Sequence, residues 1–141
     1  FPAGGLGGER KSELFARLTG PERAHLPGYV VVTRTSEEPH AALPQLTAPL
    51  AAAGLEYPLV AKPDIGCRGA GVQPIRGAND LARYLEDFPC GETFLLQRMV
   101  DVEGEAGVFY VRQPGASRGR IVSRELGDQV LQLAFQPSAH E

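Results

Sequence analysis

The sequence predicts an α+β fold, and three observations carry that reading. Short β-branched and apolar runs, such as Tyr29–Thr33 and Leu59–Ala61, alternate with segments whose apolar residues recur at helical spacing. The 17 Gly and 12 Pro are distributed so that they punctuate those segments rather than forming a low-complexity tract. The last third of the chain holds two strand-like runs around the turn residues Pro-Gly-Ala-Ser, which is the pattern of a hairpin rather than of a crossover unit.

Taken in order, Glu9–Leu18 places Leu14, Phe15 and Leu18 at helical spacing and predicts a short helix. Tyr29–Thr33 follows a Pro-Gly turn and predicts a strand. The Ala- and Leu-rich stretch after Ser36 is interrupted by Pro39, Pro44 and Pro49, so it predicts one or two short helices broken by proline and ending near Gly54. Tyr57–Pro63 reads as a buried strand that Pro63 stops by removing a ladder donor, and Val72–Arg76 reads as the returning strand. Asn79 is placed to cap a helix carrying Leu81, Tyr84, Leu85 and Phe88. Glu92–Val100 predicts a fourth strand, Ala106–Gln113 and Arg118–Glu125 a hairpin, and the tail after Gly127 has no assigned structure. Tyr84, Phe88, Leu95 and Phe109 are expected in the core. The organisation that follows is an N-terminal segment with a short helix (1–28), a mixed lobe (29–100) with a glycine flap (63–71), and a linker, hairpin and tail (101–141).

Composition narrows the function. With 43% hydrophobic and 22% charged residues the chain can bury a core. A net charge of -3, with no basic stripe interleaved with aromatics, argues against a nucleic-acid partner. No run approaches the roughly 18 apolar residues of a membrane span, so no membrane partner is expected. The N-terminus lacks both a signal-peptide pattern and a starting Met; the chain reads as cytoplasmic, and as a processed form or a piece of a longer one. Cys67 and Cys90 form no CxxC pair, which disfavours zinc, and a cytoplasmic location disfavours a disulfide.

Of 14 basic residues only Lys11 and Lys62 are lysine; the other 12 are arginine. Against that bias a lysine suggests a site that needs a compact, flexible ammonium. Lys62 stands at a predicted strand end, directly before the loop that contains Gly66, Cys67, Arg68, Gly69, Ala70 and Gly71. Glycines at that density let backbone N–H groups converge on an anion, above all phosphate, and Lys62 could deliver its charge to the same oxygens. The loop is not a Walker A sequence, since no Lys follows the glycines, and it opens no helix, which removes the dinucleotide-binding reading. The bland alternative is a glycine-rich hairpin turn. About 35 positions later the strand Thr93–Val100 runs into the acidic segment "DVEGE", where strand-end backbone could read an adenine edge and a carboxylate could take ribose hydroxyls.

With those pieces in this order, the segment Tyr57–Val111 resembles the ATP-grasp superfamily of ligases: "YPLVAKP", the flap "DIGCRGAGV", the helix "ANDLARYLEDF", the strand "TFLLQRMV" and "EGEAGVFYV". The resemblance implies an ATP-grasp first lobe with antiparallel strands, followed by the opening hairpin of a second lobe, over roughly residues 11–125. It implies that Lys62 contacts ATP phosphates, that Gly66 to Gly71 close over them, that Gln97, Arg98, Met99 and Val100 form the adenine-holding hinge, and that Glu105 binds ribose, with Glu103 as the rival. Lys11 matches the family's earlier lysine. Many members carry Glu where Gln97 stands. The implied reaction is ATP-dependent joining of a small carboxylate to an amine or thiol through an acyl-phosphate, with ATP and Mg2+ as cofactors.

The metal ligands are expected outside this chain. After the hairpin only Glu125, Asp128 and Glu141 are acidic, and no Asn follows Asn79; the chain alone is expected to be inactive. Asp64 is expected to order the start of the flap. Arg68 faces either phosphate or solvent, and Arg112 either the reaction centre or solvent. Two other readings stay open: a non-catalytic nucleotide-binding module and a mixed α/β interaction domain.

Overall fold

The computed structural model describes residues 10–66, 69–101, 106–126 and 129–132. The chain divides into two compact units, residues 1–100 and 101–141. Its class is α+β. Among the described residues no helix is long and apolar enough to cross a membrane.

The first unit contains α1 (Lys11–Ala16), a 3-10 turn (Pro21–His25), β1 (Tyr29–Thr33), α2 (Pro39–Ala52), β2 (Leu59–Pro63), β3 (Gln73–Ile75), α3 (Ala78–Asp87) and β4 (Thr93–Arg98). Its four strands form an antiparallel sheet in the order β1-β4-β2-β3. Side chains alternate across a strand, and here the two faces differ in kind. Leu59 and Ala61 of β2, Ile75 of β3, Phe94 and Leu96 of β4, and Val32 of β1 face a core completed by Leu46 and Leu50 of α2 and by Leu81, Tyr84 and Leu85 of α3. The register sets Val31, Leu95 and Lys62 side by side, and Tyr29, Gln97 and Val60 in the adjacent row, on the opposite face.

Two local expectations are corrected. The proline-rich stretch is not broken: α2 runs continuously through Pro44 and Pro49. Each proline removes one helix hydrogen bond, but both lie on the exposed side, where water can serve the freed carbonyls, while Ala42, Leu46 and Leu50 are buried. Burial of two leucines, at about 1.5–3 kcal/mol each, offsets that loss. Asn79 does not cap α3. It lies inside the helix, Gly77 is the cap residue, and the Asp80 carboxylate reaches back to accept the Arg76 N–H at 2.9 Å while pairing with Arg83.

The second unit is an antiparallel sheet of β5 (Ala106–Val111), β6 (Arg120–Leu126) and β7 (Gln129–Gln132) in sequence order. The strand β7, pairing Gln129–Gln132 with Leu126–Ser123, stands where the sequence suggested no structure. Glu125 is therefore held in a strand with a paired neighbour, Val130. The β5–β6 turn closes with the Ala116 N–H on the Gln113 carbonyl at 3.1 Å. Beside it Gly119 donates its N–H to the Tyr110 hydroxyl at 2.8 Å, and a Cβ there would stand 2.4 Å from the ring. Phe109, expected in the core, is 64% exposed, because no helix of this unit covers the sheet among the described residues.

Candidate functional site

Lys62 lies on β2 opposite Leu95, so Gln97, two residues along β4, is its diagonal neighbour on the same face. The Lys62 ammonium donates to the Gln97 side-chain oxygen and stands 5.2 Å from the centroid of the Phe15 ring. The other end of the Gln97 amide donates to the Pro27 carbonyl at 3.2 Å. Gln97, 8% exposed, is thus used at both ends. Burial, and then the charge of Lys11, hold the Lys62 ammonium below the usual lysine range. Among the described residues neither lysine is in a salt bridge.

Lys11 comes from 51 positions away, on a six-residue helix too short to be stable by itself. Its N-terminus is held from across the fold. The Lys11 N–H donates to the Asp64 carbonyl at 3.0 Å, and the Ser12 N–H and hydroxyl donate to the Asp64 carboxylate at 2.8 and 2.9 Å. The Arg10 guanidinium adds a bond to the same carboxylate at 3.2 Å, while the Asp64 N–H donates to the Thr93 carbonyl at 2.9 Å. Asp64 is 1% exposed. It does the work of an N-cap in trans, supplying acceptors that the helix lacks. The Lys11 ammonium then bonds the carbonyls of Pro63 (2.9 Å), Gly66 (3.2 Å) and Asp64 (3.4 Å), at the root of the flap.

In the flap, Gly66, Gly69, Ala70 and Gly71 are all exposed. The Val72 N–H closes a turn on the Gly69 carbonyl at 3.1 Å. Gly71 adopts φ +71°, and a Cβ there would stand 2.7 Å from Pro63 Cγ, so both backbone and space require glycine. Cys67 and Arg68 lie outside the described residues. At the other end of β4, the Arg98 N–H donates to the Gly28 carbonyl at 2.9 Å, its guanidinium to the Gly54 carbonyl at 2.9 Å, and the Met99 N–H to the Pro58 carbonyl at 3.4 Å. Val100 is 54% exposed. Glu103, Glu105, Asp128 and Glu141 lie outside the described residues, as does the side chain of Glu125.

The structure therefore brings Lys11 to the flap root and Lys62 to Gln97, with Lys11 near enough for its charge to act on Lys62. It places Arg98, Met99 and Val100 at the far end of the same strand, with the first two N–H groups engaged by neighbouring backbone. Sequence reasoning missed Phe15, used only for its helical spacing with Leu14 and Leu18; its spacing of four from Lys11, one helical turn, was the available signal. It also missed the buried Arg34, which donates to the carbonyls of Ser36, Glu37 and Phe88 and ties the start of α2 to the end of α3. Among the described residues no group of three or more His, Cys, Asp or Glu side chains could hold a metal ion. A Lys11 ammonium at the root of an exposed glycine turn, near enough to act on the Lys62 charge and with neither lysine in a salt bridge among the described residues, can receive an anion with several oxygens.

No protein-family model matches the chain, and no curated protein is significantly similar to it.

Proposed function

We propose that the first unit is the ATP-phosphate-gripping lobe of an ATP-grasp-type ligase that joins a small carboxylate to an amine or thiol through an acyl-phosphate. One observation carries the reading. Lys11 and Lys62 are the chain's only lysines; Lys11 reaches the flap root, its charge acts on Lys62 at the end of the adjoining strand, and neither has a salt-bridge partner among the described residues. Bringing two ammonium groups together and partly burying one is unfavourable, as the lowered Lys62 pKa records; an anion between them would reverse that cost.

In this reading Lys62 exchanges its neutral partner Gln97 for a phosphate oxygen, and Lys11 holds the flap root by its carbonyls so that the glycine turn closes in a fixed direction. Positioned charge of this kind stabilises the transferring phosphoryl group more than it does the ground state. In this reading the ligands of Mg2+ are supplied from outside this chain. On the same reading Gln97, Arg98, Met99 and Val100 form the adenine-facing hinge, and Glu105 or Glu103 is the ribose carboxylate.

Calorimetric titration of this chain with ATP tests it. A dissociation constant on the order of 0.1–1 mM is expected, and Lys62→Ala should weaken it about 10- to 100-fold through loss of a charge-assisted contact. Unchanged affinity in Lys62→Ala would overturn the assignment. ATP binding without substrate-dependent phosphate release would favour the non-catalytic nucleotide-binding module instead.

A further inference from the structure

An ammonium group has three N–H donors and no acceptor. The root of the flap meets all three donors of Lys11 with backbone carbonyls, those of Pro63 at 2.9 Å, Gly66 at 3.2 Å and Asp64 at 3.4 Å. The chain is leaving the sheet at this point. Pro63 lies past the last β2–β3 pair, Ala61–Gln73, and an isolated bridge between Arg10 and Ile65 brings the start of α1 alongside. The buried Asp64 carboxylate holds that start through Ser12 and Arg10. The carbonyls and the helix are thus placed by contacts that do not involve the Lys11 side chain.

Converging carbonyl oxygens replace the water around a cation. Three features set which cation. No carboxylate is in ion-pair contact with Lys11 among the described residues, so the oxygens are neutral and suit a single charge. Their distances exceed the roughly 2.0–2.6 Å at which oxygen ligands hold Mg2+ and Ca2+. Two of the three contacts, those of Pro63 and Asp64, are partly buried, so removing the ammonium leaves acceptors that water serves incompletely. With its donors engaged here, Lys11 acts on Lys62, and on any anion near it, by charge rather than by a hydrogen bond.

We infer that the carbonyls of Pro63, Asp64 and Gly66 form a monovalent-cation site, which the chain fills with its own Lys11 ammonium and which takes a free ammonium-sized cation once that side chain is cut back. Lys11 is then a positioning residue, a tethered cation that fixes the direction of the carbonyls from which the flap departs. The inference does not rest on ATP binding, and no nucleotide enters its test.

The test is cation rescue of Lys11→Ala in the isotope-labelled full chain. Ammonium, methylammonium and potassium chlorides are titrated at neutral pH, with ionic strength held constant by tetramethylammonium chloride, whose cation is too large and has no N–H. Lys11→Ala should melt about 4–8 °C below wild type in tetramethylammonium alone. Ammonium and methylammonium should each restore at least half of that loss, by binding the folded state. They should give saturable NMR shifts at the amides of Asp64, Ile65 and Gly66, with half-saturation on the order of 10–100 mM. Potassium, with the same charge and no N–H, should bind at the same amides. Wild type should show none of these shifts, because its site is full. Lys11→Met, which loses the charge but keeps a long side chain, should be destabilised and should not respond. The inference is overturned if tetramethylammonium stabilises Lys11→Ala as well as ammonium does, or if no cation gives a saturable shift at these amides. A wild-type or Lys11→Met response equal to that of Lys11→Ala, or a Lys11→Ala chain that stays unfolded in every salt, would do the same.

Discussion

The sheet of the first unit buries Leu59, Ala61, Phe94 and Leu96 beneath two helices, all at 0% exposure, whereas the sheet of the second leaves the consecutive residues Val108, Phe109 and Tyr110 at 56, 64 and 58%. Consecutive strand residues point to opposite faces, so both faces of β5 are open at these positions. Both sheets are antiparallel and rich in β-branched and aromatic residues, so strand propensity alone does not distinguish them. What separates them is amphipathic helix: α2 and α3 supply a second layer in one unit, and no helix does so in the other among the described residues. The sheet of the first unit also divides by face, with the hydrophobic cluster on one side and Lys62 and Gln97 on the other.

The comparison sets the order of mutational effects. Phe94→Ala empties the centre of the aromatic cluster with Tyr84 and Phe88 and should destabilise the first unit by about 3–5 kcal/mol in urea unfolding. A loss below about 1 kcal/mol would mean that the core is not where the two helices place it. Asp64→Ala removes a buried acceptor from Ser12 and Arg10 and should cost about 2–3 kcal/mol. It should also lower ATP affinity by releasing Lys11 from the flap root; a stability loss with ATP affinity intact would separate the cap from the site.

Lys62→Met should act in the other direction. A lysine whose folded pKa lies below its unfolded value destabilises the fold most when protonated: the stability present above pH 10.5 is lost as pH falls through the lowered pKa. At neutral pH the variant should therefore be equally or slightly more stable, by at most about 1 kcal/mol given solvent screening, and the gain should vanish above pH 10.5. Binding has the opposite slope, since ATP favours the protonated ammonium; wild-type affinity should fall as pH rises through the lowered pKa of the free protein. A pH-independent affinity across that window would detach Lys62 from the nucleotide. The smallest effect belongs to the open sheet: Phe109→Ala should change stability by no more than about 0.5 kcal/mol, and a loss as large as that of Phe94→Ala would show that something covers β5 in solution.

Much of this fold was legible because burial alternates in step with sequence. Leu59, Ala61, Phe94 and Leu96 reveal strands by their period of two, and Leu81, Tyr84 and Leu85 reveal α3 by helical spacing. Pro44 and Pro49 misled because intrinsic propensity counts the lost hydrogen bonds but not the leucines the continuous helix buries. The strand β7 was not legible, since Gln129–Gln132 is short and its pairing depends on a partner strand. At the candidate site, the glycines and Lys62 stand in one window, and a single-sequence reading could single them out. The clamp of Asp64 on α1 spans 52 positions, and nothing local in either segment announces the other.

That clamp has a consequence for the order in which the molecule is made. A ribosome adding about 5–20 residues per second needs roughly 3–10 s to travel from Ser12 to Asp64, a separation of 52 residues. During that interval α1 has no acceptor for its first N–H groups, and Arg10 offers no side-chain cap of its own. The helix, and with it the place of Lys11, is settled only when the strand before the flap has been delivered. The amide proton of Ser12 is then a clock for that event, exchanging freely with solvent before the root of the flap is in place and protected afterwards.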